Sequence, residues 1–266
     1  MTVWQLLIQF VFRLTFGVAL AMGVTPARYV TSGFYRVHLW VLMGLNTLAA
    51  LAVYSLYAEV EVEQQVLTNW RLVFAAAIAI AVVSYVGSVV WLYERTGAGI
   101  NAVFLVAALA LSAAVLATPW TNVDKSLGVT LAILDLASSG VLLGATMAAM
   151  FLGHWYLNTP TMELLPLKRL VLLMIGAIIA RTLVSGTGLA MQIGSPQPLE
   201  TAFWIFVAFR WLSGLLGTAM LALMTWYTLK VPNTQSATGI LYAGVIFTFL
   251  GELTSQLLSV DRLYPL

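Results

Sequence analysis

Two apolar segments near the end of the chain, AFWIFVAFRWLSGLLGTAMLALMTWYTLK (residues 202–230) and ATGILYAGVIFTFLGELTSQLLS (residues 237–259), flank the short turn VPNTQS. At about 1.5 Å per residue, each segment is long enough to cross roughly 30 Å of hydrocarbon. Yet Arg210 lies well inside the first segment and Glu252 well inside the second. A charge in hydrocarbon costs about 3 kcal/mol on insertion scales, so such residues usually pair inside a bundle. The pattern therefore predicts a transmembrane hairpin that carries a buried ion pair.

The rest of the chain has the same apolar character. Its 266 residues are 61% hydrophobic and only 8% charged, whereas soluble domains average about 25% charged residues. The apolar runs do not alternate with polar residues in segments of about ten, which argues against an outer-membrane barrel. The sequence predicts an all-α integral membrane protein, a polytopic bundle of about eight transmembrane helices. Their predicted ranges are about 3–24, 36–58, 71–93, 99–118, 127–153, 167–192, 202–229 and 237–259.

The connections between these segments are short, which predicts a single transmembrane domain over residues 1–266. Basic residues in loops and at helix ends favour the cytoplasmic side of a membrane. Six fall on one side of the predicted bundle: Arg28, Arg36, Arg95, Lys168, Arg169 and Lys230. Three fall on the other side: Arg71, Lys125 and Arg262. This asymmetry predicts that both termini are on the outer, non-cytoplasmic side of a bacterial-type cytoplasmic (inner) membrane.

Charge and motif content narrow the partners and the chemistry. The net charge of +2, without a Lys/Arg cluster, argues against nucleic acid as a partner. The absence of cysteine excludes disulfides and thiolate-ligated metal sites in this chain. Glu59, Glu61 and Glu63 alternate in a loop and are interpreted as solvated rather than as a cation site, so no metal site is predicted. The expected partners are the lipid bilayer and other membrane or membrane-associated subunits.

Five ionisable residues lie within the predicted spans: Arg13, Asp135, Arg181, Arg210 and Glu252. Counted from the segment ends at about 1.5 Å per residue, all five fit one slab in the outer half of the membrane. Consecutive antiparallel helices predict the pairs Arg210–Glu252 and Arg181–Asp135. Arg13 is then expected to contact carbonyl groups, water, an anionic ligand or a shared acid. Gly244, Thr248, Ser255 and Gln256 are predicted to share the face of Glu252; Ser213, Gly214 and Gly217 are predicted to share the face of Arg210.

Two interpretations of these charges stay open. In the first, Glu252, Arg210, Asp135 and Arg181 form a polar pocket for a quinone head group or a proton relay, with the Glu252 carboxyl group as the proton carrier. In the second, the ion pairs only fix the register of the helices and perform no chemistry.

The two histidines lie at helix ends on the predicted cytoplasmic side. Neutral imidazoles from two helices can ligate a b-type haem, so His38 and His154 are candidate haem ligands. A histidine beside tryptophan and tyrosine at a helix end is also typical of the membrane interface. Haem is therefore a weaker expectation than quinone.

Three functions remain as hypotheses. The first is a membrane subunit of an electron-transfer or energy-conserving complex of the respiratory type. The second is a transporter of a small solute or ion that uses the same buried charges. The third is a structural or assembly subunit without a site of its own. No hydrolytic or nucleotide-binding motif is present, and whether the chain is an enzyme stays open.

Overall fold

A computed structural model describes residues 3–57, 69–118, 120, 127–159, 161–195, 199–231, 233–260, 262 and 264–266. In these ranges the structure is helical, without a strand. The helices are α1 (Val3–Val24), α2 (Ser32–Tyr57), α3 (Trp70–Leu92), α4 (Thr96–Leu116), α5 (Leu127–Asn158), α6 (Leu165–Ile193), α7 (Thr201–Phe209), a π-helical segment (Arg210–Gly217), α8 (Thr218–Thr228) and α9 (Thr234–Ser259). A single 3₁₀ turn, Ala27–Tyr29, lies between α1 and α2.

Eight of the described spans are long and apolar enough to cross a membrane, with α7, the π segment and α8 forming one continuous span. The predicted all-α fold with eight apolar helices of membrane-spanning length is therefore confirmed. The direction in which they cross, the side of the termini and the kind of membrane stay predictions. The predicted loop residues Glu59, Glu61, Glu63 and Lys125 lie outside the described residues.

Several helices are longer than their apolar cores. The α5 helix ends at Asn158 instead of residue 153, and α2 begins at Ser32 instead of residue 36. Hydropathy marks only the stretch that prefers hydrocarbon, whereas backbone hydrogen bonding continues the helix through polar and aromatic residues at its ends. Asn233 caps the start of α9, where its side chain accepts a hydrogen bond of 2.9 Å from the Ser236 amide.

The chain divides into two compact units, Met1–Pro119 and Trp120–Leu266. In the first unit α1 packs against α2 and α4, and α3 packs against the same two helices. Phe12 and Met22 on α1 are fully buried in this unit. The Asn46 amide donates to the Thr15 hydroxyl at 2.9 Å and links α2 to α1. The single-domain interpretation stays a prediction.

The second unit has the same ring order. The α5 helix packs against α6 and α9, and α8 packs against the same two helices. Leu142 and Leu143 on α5 and Leu170 and Met174 on α6 are fully buried there. The four spans therefore surround one core. Polar side chains from the half of α5 that is nearer Leu127 are also buried in this core.

The π-helical segment interrupts the seventh span at its centre. A π-helix closes wider turns than an α-helix and is usually found as a short bulge at a functional site. Here it covers eight residues, Arg210–Gly217, and packs against α9. Gly214 lies directly against Gly251 of α9, so the two backbones touch without intervening side chains. This close approach brings Arg210 to the face of α9 that carries Glu252.

Candidate functional site: a buried charge tetrad

Four charged side chains from four elements of the second unit meet in its core. Asp135 comes from α5, Arg181 from α6, Arg210 from the π segment and Glu252 from α9. We call them the tetrad. Their exposed fractions are 4%, 0%, 1% and 0% respectively. Intramembrane charges of this kind are stable only when they pair with each other or bind a ligand.

Arg181 is the centre of the tetrad. Its Nε donates to both oxygens of Glu252, at 3.0 Å to Oε1 and 3.2 Å to Oε2. Its Nη1 forms an ion pair with Asp135 Oδ1, and its Nη2 donates to the Ser255 hydroxyl at 2.7 Å. All three guanidinium nitrogens therefore have partners, in the forked geometry that arginine provides and lysine cannot.

Arg210 is bound on one side only. Its Nη2 donates to Glu252 Oε1 at 3.0 Å and lies 3.5 Å from the Ser185 hydroxyl. Among the described residues, its Nε and Nη1 are buried without a hydrogen-bond partner. A Cβ atom added to Gly214 would lie 2.7 Å from Nη1, so glycine is needed there to leave room for the guanidinium group.

Both predicted ion pairs are confirmed, because Arg210 binds Glu252 and Arg181 binds Asp135. The bridge from Arg181 to Glu252 was not predicted. Hairpin reasoning pairs only consecutive helices, whereas packing around the ring brings the α6 guanidinium to the carboxylate of α9. The tetrad holds two arginines and two carboxylates and is formally neutral.

The other predicted members of the site have mixed outcomes. Arg13 lies on α1 in the first unit, where its exposed fraction is 9%, and its place in the cluster stays a prediction. Thr248, Ser255 and Gln256 are buried as predicted. Ser213 was predicted to face inward, but its hydroxyl bonds to the Phe209 carbonyl of its own helix and is partly exposed. The wider π turn rotates Ser213 away from the face of Arg210.

Two serines that sequence reasoning missed border the tetrad. Ser139 lies beside the Glu252 carboxylate, and Ser185 lies beside Arg210. Each stands four residues after a tetrad member, Asp135 or Arg181, which is one helical turn along the same face. That spacing is the signal that would have identified both.

Further polar groups extend from the tetrad along the second unit. Buried hydroxyl groups of Thr218, Thr248 and Thr146 follow each other at 3.5 Å. Thr248 precedes Glu252 by one turn of α9. The Gln256 amide is 5% exposed, and neither its nitrogen nor its oxygen has a hydrogen-bond partner in the described part of the chain. A row of hydrogen-bonding groups thus runs through an otherwise apolar core.

A narrow crevice reaches Arg210 but leaves no room for a water molecule. Its walls are apolar except for two groups near the tetrad. Its lining residues are Ser185, Leu189, Val207, Arg210, Trp211, Leu258 and Leu266. Among the described residues that line the crevice, Arg210 is the only charged one.

The two histidines belong to different units. His38 is buried in the first unit, and its Nδ1 contacts the Phe34 carbonyl at 2.5 Å. His154 is exposed in the second unit, and its Nδ1 lies 3.3 Å from the Tyr242 hydroxyl. Haem ligation by this pair stays a prediction, which an absorbance spectrum of the reduced protein would test. In the described ranges, no group of three or more His, Asp or Glu side chains is placed to hold a metal ion.

Comparison with known proteins adds no family to this picture. No protein-family model, curated protein or solved structure matches the chain significantly.

Proposed function

We propose that this chain is a membrane subunit of an electron-transfer or energy-conserving complex of the respiratory type, and that the tetrad binds a quinone head group or relays protons. In this proposal the tetrad lies in the outer half of a bacterial-type cytoplasmic membrane. The observation that supports the proposal best is the pair of buried donors on Arg210, Nε and Nη1, that have no acceptor among the described residues.

An unsatisfied buried donor costs about 1–3 kcal/mol, and more when it is charged. Nearly all buried polar groups in proteins are therefore paired with protein atoms, water or a ligand. A quinone offers carbonyl oxygens, which accept hydrogen bonds, on an apolar ring. The crevice places the Arg210 guanidinium group beside the apolar side chains of Trp211 and Val207, the combination that a quinone head group needs. A quinone would enter it only after one of its walls has moved.

Proton relay uses the same residues. Glu252 has two arginines on its carboxylate and, one turn before it on α9, the hydroxyl of Thr248. Protonation of Glu252 would weaken its bonds to both arginines, so a proton entering the tetrad changes how Arg210 is held. The row of threonine hydroxyls provides groups that can both donate and accept hydrogen bonds.

Binding of a short-chain quinone to the protein in lipid nanodiscs tests the proposal. We expect saturable quenching of tryptophan fluorescence, and quinone in the organic extract of the purified protein. Arg210→Leu should weaken the affinity at least tenfold. The control variant, Arg169→Leu, removes an exposed arginine of the same unit and should leave the quinone affinity unchanged. Equal affinity for both variants, or no saturable binding to the unmodified protein, would contradict the quinone assignment.

A structural role is the second candidate, and the charge balance of the tetrad favours it. Two arginines and two carboxylates with four bonds between them fix the register of α5, α6, α9 and the π segment without any ligand. Buried polar groups can specify register in this way. On this account, replacing a whole ion pair with apolar side chains changes assembly but removes no binding activity.

A further inference from the structure

The last described residues fold back into the second unit. Leu266 is only 3% exposed and packs against Phe203 and Val207 of α7. The guanidinium group of Arg262 lies 4.9 Å from the centre of the Phe203 ring. We call Arg262 and residues 264–266 the C-terminal segment.

Hydrogen bonds connect this segment directly to the tetrad. The Ser255 hydroxyl accepts a hydrogen bond from Arg181 Nη2 at 2.7 Å and donates one to the main-chain oxygen of Leu266. The Leu266 amide donates to the Ser259 hydroxyl at 3.0 Å. Ser255 alone therefore links Leu266 to Arg181 through two hydrogen bonds.

The surface that receives the segment is shaped to fit it. The backbone of Gly188 on α6 lies against the carbonyl group of Pro265, and a Cβ atom at residue 188 would overlap that oxygen. Glycine at this position is thus required for the segment to lie where it does. We call the surface formed by Phe203, Val207, Gly188 and Ser255 the seat.

Leu266 also forms one wall of the crevice that leads to Arg210. Val207 and Trp211 line the same crevice. With Leu266 in place the crevice is too narrow for water. Withdrawal of Leu266 would join the seat to the crevice and open a route to the unpaired donors of Arg210.

We infer that the seat is a ligand-binding site that the chain fills with its own C-terminal segment. Leu266 presents an apolar side chain to Phe203 and Val207 and a main-chain oxygen to Ser255. The ligand that replaces it has the same two features, an apolar body and an oxygen that accepts a hydrogen bond. A quinone belongs to this class, and its assignment as the ligand rests on the proposed function. The inference that the segment can be displaced is independent of the proposed function.

Cysteine reactivity tests the displacement, because the chain has no cysteine of its own. Val207→Cys places a thiol in the wall of the crevice, and its reaction with N-ethylmaleimide is followed in nanodiscs. Adding Gly188→Ala, which displaces Pro265, should raise the labelling rate at least tenfold. Adding Gly176→Ala on the same helix, where a Cβ meets no atom within 4 Å, should leave the rate unchanged.

Two further variants empty the seat, deletion of residues 264–266 and the substitution Leu266→Ala. Gel filtration shows which variants remain folded. Equal labelling of Val207→Cys in every folded variant would overturn the inference. The same variants are then titrated with a short-chain quinone, whose affinity should rise at least tenfold. Faster labelling with unchanged quinone affinity would support displacement of the segment. It would overturn quinone both as the ligand that competes with the segment and as the proposed substrate.

Discussion

At the scale of the residue, Glu252 holds the tetrad together. Its Oε1 atom receives hydrogen bonds from both Arg181 and Arg210, at 3.0 Å each. Without this carboxylate, Asp135 would be the only acid of the tetrad left to balance two buried guanidinium groups. Removing one partner of a buried ion pair costs about 3–5 kcal/mol, because the remaining charge is left without compensation.

We therefore expect Glu252→Gln to lower the free energy of unfolding by about 3 kcal/mol or more. Glutamine has nearly the same shape, so the loss reflects the charge rather than packing. Equilibrium unfolding in mixed micelles measures the change. Glu163→Gln, at an exposed loop residue, is the matched control and should shift stability by less than about 0.5 kcal/mol. A similar small shift for both variants would show that Glu252 does not hold the arginines.

Residue patterns predict part of this site. Arg210 and Glu252 stand out in the sequence because charges in apolar runs need partners, and their helices are consecutive. Arg181 also bridges to Glu252, and this contact depends on how four helices close into a ring. A rule that pairs only consecutive helices therefore cannot predict the contact between Arg181 and Glu252.

At the scale of the element, the π segment and its glycine contact position Arg210. The sequence predicts an apolar span over residues 202–229 and small residues at helical spacing. It does not predict the π turn, because local propensities of α- and π-helical residues hardly differ. The π segment makes two contacts with α9, between Gly214 and Gly251 and between Arg210 and Glu252, which lie outside the reach of local propensity.

Gly251→Ala tests this account of the contact. Its added Cβ would overlap the backbone of Gly214 and come within 3.3 Å of Arg210 Nη1, so the π segment must move away from α9. We expect a loss of about 1–3 kcal/mol in the free energy of unfolding, as for other overpacked sites. Thermal unfolding followed by circular dichroism measures it.

The matched control is Gly239→Ala in the same helix, where a Cβ meets no atom within 4 Å. Alanine favours an α-helix over glycine by about 0.8–1.0 kcal/mol in model systems, so this variant should be unchanged or slightly more stable. If Gly251→Ala is as stable as Gly239→Ala, the two backbones do not require the close approach.

At the scale of the whole molecule, composition decides the class and the number of spans. The eight helices follow from apolar runs, and short loops keep them in sequence. Two units, each with four spans in the same ring order, were not predicted, because apolar helices resemble one another too closely for the pattern to show which ones pack together. Basic residues predict the orientation, which helix packing alone does not fix.

Labelling of single cysteines tests the orientation. Glu163 and Glu200 are both exposed and flank the two ends of α6, so they should lie on opposite sides of the membrane. A membrane-impermeant maleimide applied to intact cells should label Glu200→Cys and not Glu163→Cys. Permeabilised cells, in which both should react, provide the control. Labelling of Glu163→Cys alone would reverse the predicted topology.

The central claim is that the tetrad binds a ligand and does more than fix helix register. Its most direct test is quinone affinity in nanodiscs after the ion pair is replaced by Arg210→Met and Glu252→Leu together. Replacing a buried ion pair as a whole with apolar groups is often neutral or stabilising. Here, however, Arg181 Nε also loses both of its acceptors. We therefore predict a lower Tm than that of the unmodified protein, and quinone binding at least tenfold weaker in the folded double variant. Unchanged quinone affinity in a folded double variant would contradict the claim.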